Sequence, residues 1–260
     1  VVSGFALFQC CAILPVRGIN DDQLNEKEPI IGSCLAVFRQ EYYIMLNMDF
    51  SHFVSINTTT MDWVPSPAPG VWRKPLAREE AEQGHATSIV RYDPGASFKG
   101  HNHPLGEEIL VLEGTFSDET GDFKAGTYFR NPKGFIHAPF SNEGCVILVK
   151  LYQMDPADTE RKAIEMDKET WEEGENGTSK LQLHTFNSEN VLLFSAPSGV
   201  EVPRHTHVKG EEVFVISGCY KDENGQFPAG SWVRLPPGSE HAPIFEENTM
   251  LWIKYGHIAT

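Results

Sequence analysis

The chain has 260 residues, with 21 Lys plus Arg against 36 Asp plus Glu, so its formal charge is −15. That charge excludes the basic face of a nucleic-acid binder and opposes docking on anionic membranes. Hydrophobic residues make up 40% and charged residues 22%, a globular balance, and no apolar run approaches the ~20 residues of a membrane span.

Residues 1–47 have no counterpart elsewhere in the chain and no clean periodicity. They are read as a poorly packed extension outside the native fold, with an extra strand or dimer arm as the alternative, ahead of an ordinary start near Met48-Asp49-Phe50. Their apolar stretch lacks preceding basic residues and makes a poor signal peptide. Cys10, Cys11 and Cys34, with Cys145 and Cys219, give an odd total and no C-x-x-C pair. A reducing, cytoplasmic compartment is expected, rather than a disulfide framework.

From residue 48 onward the dominant signal is a repeat. Residues 95–139 align with residues 199–243 without a gap, and twenty of the 45 pairs are identical. Each copy reads as short strands: 87–92, 108–112, 127–130 and 145–151, then 191–195, 212–216, 231–235 and 249–255. Turn sequences such as Asp93-Pro94-Gly95 and Asn131-Pro132-Lys133-Gly134 lie between them. Many short strands with close turns predict an all-β fold of sandwich or barrel type. Residues 155–173 alone resemble a helix, and their charge run predicts a solvated connector. The predicted domains are therefore 48–154 and 155–260.

The repeated pattern carries ligand-type residues. Copy one reads Gly95, His101, His103, Glu107, Gly114, then Gly126, Pro132, Gly134 and His137. Copy two reads Gly199, His205, His207, Glu211, Gly218, then Gly230, Pro236, Gly238 and His241. Residues i and i+2 of a strand share a face, so each His-x-His pair aims two imidazoles the same way. The Pro104-Leu105-Gly106 turn can return Glu107 to the same site, and a later turn can bring in His137. Three imidazoles and one carboxylate suit a divalent transition metal, with up to two ions per chain. Zinc, iron(II), manganese and nickel all accept such donors, and the spacing does not choose a closed tetrahedral site over an open octahedral one.

These motifs resemble those of the cupin superfamily. More narrowly, 90–95, 103–114 and 125–132, with Trp63-Val64-Pro65-Ser66-Pro67, resemble the ChrR-like cupins. The resemblance spans roughly residues 48–256 and implies two tandem double-stranded β-helix (jelly-roll) barrels. It implies His101, His103, Glu107 and His137 as ligands of one metal, and His205, His207, Glu211 and His241 as ligands of the other. Ser141 and Phe245 stand where the general cupin motif commonly has Asn, which bears on local turn structure and pocket shape. Because ChrR-like cupins include dioxygenases, the resemblance admits a non-haem, metal-dependent dioxygenase acting on a small diketone-like or hydroxylated carbonyl compound. No side chain is singled out as catalytic beyond the metal centres. The alternative is a zinc-binding sensory module related to the cupin domain of ChrR-type anti-sigma factors, and a third reading is a metal-stapled assembly unit. Residues 1–47 hold cysteines but no His, which argues against the separate zinc-binding helical domain that direct sigma-factor inhibition would need.

A small-molecule ligand is the expected partner, and a homodimer through strand edges is a further expectation. Arg130 and Arg234 recur and are read chiefly as structural ion pairs, with binding of an anionic substrate as the alternative. Lys150 and Lys254 also recur and are expected to face solvent, as are Glu108 and Glu212, for which accepting a metal ligand's N–H is the alternative.

Overall fold

The computed structural model describes residues 45–80 and 83–258. The expected extension, residues 1–47, lies outside the described residues except for its last three. Of those, Leu46 pairs with Arg78, and Asn47 donates its side-chain amide to the Leu76 carbonyl at 2.7 Å.

There is no α-helix among the described residues, and no helix long and apolar enough to cross a membrane. Two large antiparallel sheets dominate. In one, the strands run in the order Lys162–Glu165, Thr127–Asn131, Glu107–Asp118, Cys145–Leu151, Ala86–Tyr92, Val71–Arg78 and Val64–Pro65. In the other the order is Val54–Asn57, Ser231–Leu235, Glu211–Ser217, Thr249–Tyr255, Glu189–Ala196, Ser179–Phe186 and Glu172–Glu173. Short pairs close each barrel over its interior, His101–His103 with Phe135–His137 and His205–His207 with Ser239–His241.

The sequence order and the sheet membership disagree at two strands. Val54–Asn57, early in the chain, pairs with Ser231–Leu235 of the second barrel. Lys162–Glu165, after the first repeat, pairs back onto Thr127–Asn131 of the first barrel. Each half thus lends its leading strand to the other. Residues 155–173 are therefore not a free connector. Ile164 and Met166 pack on a core that both barrels share, while Ala163 and Glu165 on alternate positions stay exposed. That alternation is the period of a strand, and it is masked in the sequence by the surrounding charge.

Strand parity sorts the apolar residues into three cores. Ile109, Val111, Ile147 and Val149 fill the first barrel, and Val213, Val215, Leu235 and Leu251 fill the second. Leu110, Leu148, Leu193, Trp232 and Trp252 point out of their barrels and pack between them.

This third core corrects the solvent-facing expectation for four charged residues. Lys150 and Lys254 are buried, and so are Glu108 and Glu212. They point out of their own barrel, but the other barrel covers them. Lys150 reaches Glu212 at 2.5 Å, and Lys254 reaches Glu108 at 2.7 Å and Glu189 at 2.9 Å. The pairs cross between the barrels in both directions. Burial by itself would raise the Glu212 carboxyl; Lys150 and His257 outweigh it and hold Glu212 well below the ordinary carboxylate range. Burial likewise opposes ionisation of Glu108, yet Lys254 and Arg130 bring it down to about 2.

Both repeated arginines are structural. Arg130 is fully buried and donates to Asp158 at 2.7 Å, with His184 against the same carboxylate. Arg234 donates to the Asn47 and Asp49 carbonyls at 2.6 and 2.9 Å. His257 Nε2 lies 3.4 Å from the Glu212 carboxylate. Cys145 and Cys219 are buried free thiols.

Candidate metal centres

The first centre is built from three chain segments. His101 and His103 occupy the ends of one short strand, and His137 sits directly opposite His101 in the register. Gly106 adopts φ +75°, a conformation that favours glycine, and this turn delivers Glu107 to the start of the next strand. Because side chains alternate, Glu107 shares the barrel interior with Ile109 and Val111, whereas Glu108 leaves it. The Glu107 carboxylate lies 3.6 Å from His103 Nε2 and 3.4 Å from His137 Nε2, and His103 Nε2 lies 2.9 Å from His137 Nε2.

The second centre repeats the plan. His205 faces His241 across the short strand pair, and Gly210, at φ +68°, returns the chain to Glu211. His205 Nε2 and His241 Nε2 are 3.2 Å apart. Glu211 approaches His207 Nδ1 at 3.4 Å and His241 Nε2 at 3.9 Å. In each triad the donor atoms lie within 4.8 Å of one another. The structure thus brings together His101, His103, Glu107 and His137 in one barrel and His205, His207, Glu211 and His241 in the other.

Tautomers decide what these imidazoles offer. His101 Nδ1 is held by the Lys99 carbonyl and His137 Nδ1 by Asp118 at 3.0 Å. His205 Nδ1 is held by the Pro203 carbonyl and His241 Nδ1 by Asp222 at 2.8 Å. An acceptor at Nδ1 places the proton there, so in the neutral ring Nε2 presents a bare lone pair. In each site two such lone pairs aim at one point, an arrangement that a cation relieves. His207 Nε2 is also buried without a hydrogen-bond partner among the described residues. The residues present fit a divalent metal in both barrels.

Burial, with the neighbouring imidazoles, pushes His103 down to about 3, and burial does the same to His207, so both rings stay neutral and ligand-competent. Burial alone would also lower His137; Asp118 and Glu107 reverse this and raise it.

Asp118 and Asp222 are site residues that the ligand spacing did not single out. Both were visible as an identical Asp-Glu pair in the repeat. We expect Asp118→Asn to weaken metal binding in the first barrel about 10- to 100-fold by releasing the His137 tautomer. Competition against a chromogenic chelator measures this; an unchanged affinity would show that Asp118 does not set the ring.

The two centres differ in what surrounds them. Asn131 donates to Glu107 at 3.1 Å, and Arg161 braces Asn131 in turn. The matching position in the second barrel is Leu235, and burial there pushes Glu211 up to about 8. The first barrel holds a cavity of about 310 Å³, whose walls include Arg73, Arg78, Ser88, Tyr92 and Phe98 beside the histidines. The second holds about 150 Å³, walled mainly by Phe194, Val213, Phe245, Leu251 and Ile253.

The family model for the ChrR cupin-like domain matches residues 51–155 and again 159–259. The chain belongs to the ChrR cupin-like family. A search of curated proteins finds no match. Among solved structures this ChrR-like chain is similar to a candidate dioxygenase from Nostoc punctiforme, with 15% identity, a TM-score of 0.67, and 81% of this chain and 85% of that one covered. It is similar to an oxalate decarboxylase of Bacillus subtilis, at 13% identity and a TM-score of 0.57, over 79% and 77% of the two chains. It is also similar to a bacterial pirin from Escherichia coli in complex with nickel(II), at 8% identity and a TM-score of 0.61, over 80% and 100%. At these identities the likeness shows the fold: two tandem cupin barrels in one chain.

Proposed function

We propose that this chain is a metal-dependent dioxygenase for a small diketone-like or hydroxylated carbonyl compound, and that the first barrel carries the reaction. The observation that carries the reading is the pairing of converging bare imidazole nitrogens with an adjoining cavity in that barrel. When bound, an ion such as iron(II) supplies Lewis acidity and one-electron redox chemistry for dioxygen. His101, His103, Glu107 and His137 would hold it. In dioxygen cleavage a carbon–carbon bond breaks, and both oxygen atoms enter the products. Arg73 and Arg78 stand among the residues of the cavity wall. Val71, Val90, Phe116 and Ile147 add an apolar wall, which suits a small apolar skeleton. The candidate dioxygenase among the structural neighbours is consistent with this reading.

The second barrel favours a different role. Its cavity is about half as large and has no Lys or Arg among its described walls. That suits a closed zinc site that holds the barrel together, and it keeps the sensory alternative open for that half.

The test is oxygen uptake by the full chain loaded anaerobically with iron(II) and given acetylacetone. The expected result is one dioxygen consumed per diketone, with a carboxylic acid among the products and no uptake by the zinc-loaded chain. Tight iron binding without uptake on acetylacetone or on hydroxylated aryl ketones would leave the sensory reading in its place.

A further inference from the structure

The ligand-type residues, and the aspartates behind His137 and His241, are the same in both barrels, yet what braces them is not. In the first barrel Arg161, an exposed residue just ahead of the exchanged strand Lys162–Glu165, reaches back to the metal set along two routes. Its Nε donates to Asn131 Oδ1 at 3.2 Å, and the Asn131 amide donates to the Glu107 carboxylate at 3.1 Å. Its Nη2 donates to the Thr120 hydroxyl at 2.7 Å. That hydroxyl and the Thr120 backbone N–H donate to Asp118 Oδ1, and Asp118 Oδ2 holds His137 Nδ1 at 3.0 Å. The guanidinium also lies 4.7 Å from the ring centre of Phe135, on the short strand that carries His137. Because Glu107 and His137 themselves approach to 3.4 Å, the two routes close into a ring, with Arg161 at its outer end and two ligand side chains at its inner end.

The second barrel has other residues at all three bracing positions. In the aligned repeat Asn224 stands for Thr120 and Leu235 for Asn131. Lys162 pairs with Arg130, whereas Val54 pairs with Arg234, the counterpart of Arg130, so Phe53 stands for Arg161. Phe53 packs on Phe227 in the second core, with ring centres 6.4 Å apart. Replacements on three separate segments thus remove the same ring, while the ligands and the aspartate are kept. A single exposed arginine contact contributes little to stability. Here the donors end on groups that orient metal ligands, and a planar guanidinium serves both routes at once, as a point charge does not.

We infer that Arg161 is a positioning residue of the first metal centre. It holds Glu107 through Asn131, and His137 through Thr120 and Asp118, so the segment exchanged between the halves completes one centre and not the other. The inference rests on a metal in the first barrel and not on the reaction proposed for it.

Titration of the full chain with cobalt(II), followed by its visible bands in competition with a chelator, tests it. In a His207→Ala background the second set has lost a ligand and the bands report the first. Arg161→Phe installs the second barrel's residue, which keeps bulk beside Phe135 and removes both donors. We expect it to weaken cobalt(II) binding about 10-fold, the lower end of what an outer-shell change costs. It should leave the melting temperature of the metal-free chain unchanged and have no effect on the second set, read in a His103→Ala background. Once Thr120→Val and Asn131→Leu have removed both routes, Arg161→Phe should cost nothing further. Equal affinity with and without Arg161, an equal loss at the second set, or the same loss after both routes are gone would overturn the inference. A His207→Ala chain that binds no cobalt(II) would overturn the metal reading of the first barrel, and the inference with it.

Discussion

Chains carrying His103→Ala will contain one metal equivalent fewer than wild type, and their oxygen uptake on acetylacetone will fall by more than about 100-fold, the upper end of what even an outer-shell change costs. His103 is buried, and its Nε2 lies 2.9 Å from His137 Nε2 and 3.6 Å from Glu107, so its loss removes a donor from the centre of the first set. The second set shares no residue with the first and sits in a separate barrel, so its metal should stay. His207→Ala should do the reverse: it should lose the other equivalent and keep most of the uptake, because the cavity with Arg73 and Arg78 on its wall belongs to the first barrel. Elemental analysis of protein purified without chelators, paired with an oxygen electrode, reads both quantities. Simultaneous loss of both ions from either variant would show that the sites are coupled. Uptake that follows His207 rather than His103 would move the chemistry to the second barrel.

Much of this site was legible because the chain states it twice. A single His-x-His is weak, but two copies with Glu and a distant His at the same spacings restrict the reading to a metal set. Strand parity then separated Glu107 from Glu108. What parity could not say is what covers the outer face of a barrel. Lys150 and Glu108 were placed correctly as outward and wrongly as solvated, because the face they occupy is closed by the other barrel. The exchanged strands were illegible for a related reason. Sheet pairing between Val54–Asn57 and Ser231–Leu235 is a contact across most of the chain, and no local pattern encodes it. The inequality of the two sites had a visible trace. In an otherwise matched motif Asn131 stands opposite Leu235, and that one difference decides whether the buried glutamate receives a hydrogen bond.

Removing one partner of the crossed ion pairs should be the most damaging change away from the metals. Glu212→Gln leaves Lys150 buried with the Thr87 hydroxyl at 3.1 Å as its remaining close partner. An uncompensated buried charge costs about 3–5 kcal/mol. For a chain of this size that corresponds to a fall in Tm of roughly 6–20 °C. The paired replacement Lys150→Met with Glu212→Met removes both charges at once, and burying apolar side chains of similar length in the shared core is near neutral to stabilising by about 1–4 kcal/mol. The Trp232 indole N–H, 3.3 Å from Glu212, loses an acceptor and places the outcome toward the neutral end. Scanning calorimetry should show one cooperative transition in wild type and in the double variant, because each half contributes a strand to the other's sheet. The same pairs set the acid limb. Glu108 and Glu212 are held below the ordinary carboxylate range in the fold, so their contribution is present above that range and is lost as pH falls, for Glu108 toward about 2. The double variant should therefore lose less stability between neutral and acid pH than wild type does. Two separate calorimetric transitions in wild type, or a double variant as unstable as Glu212→Gln, would mean that the crossed pairs do not couple the barrels.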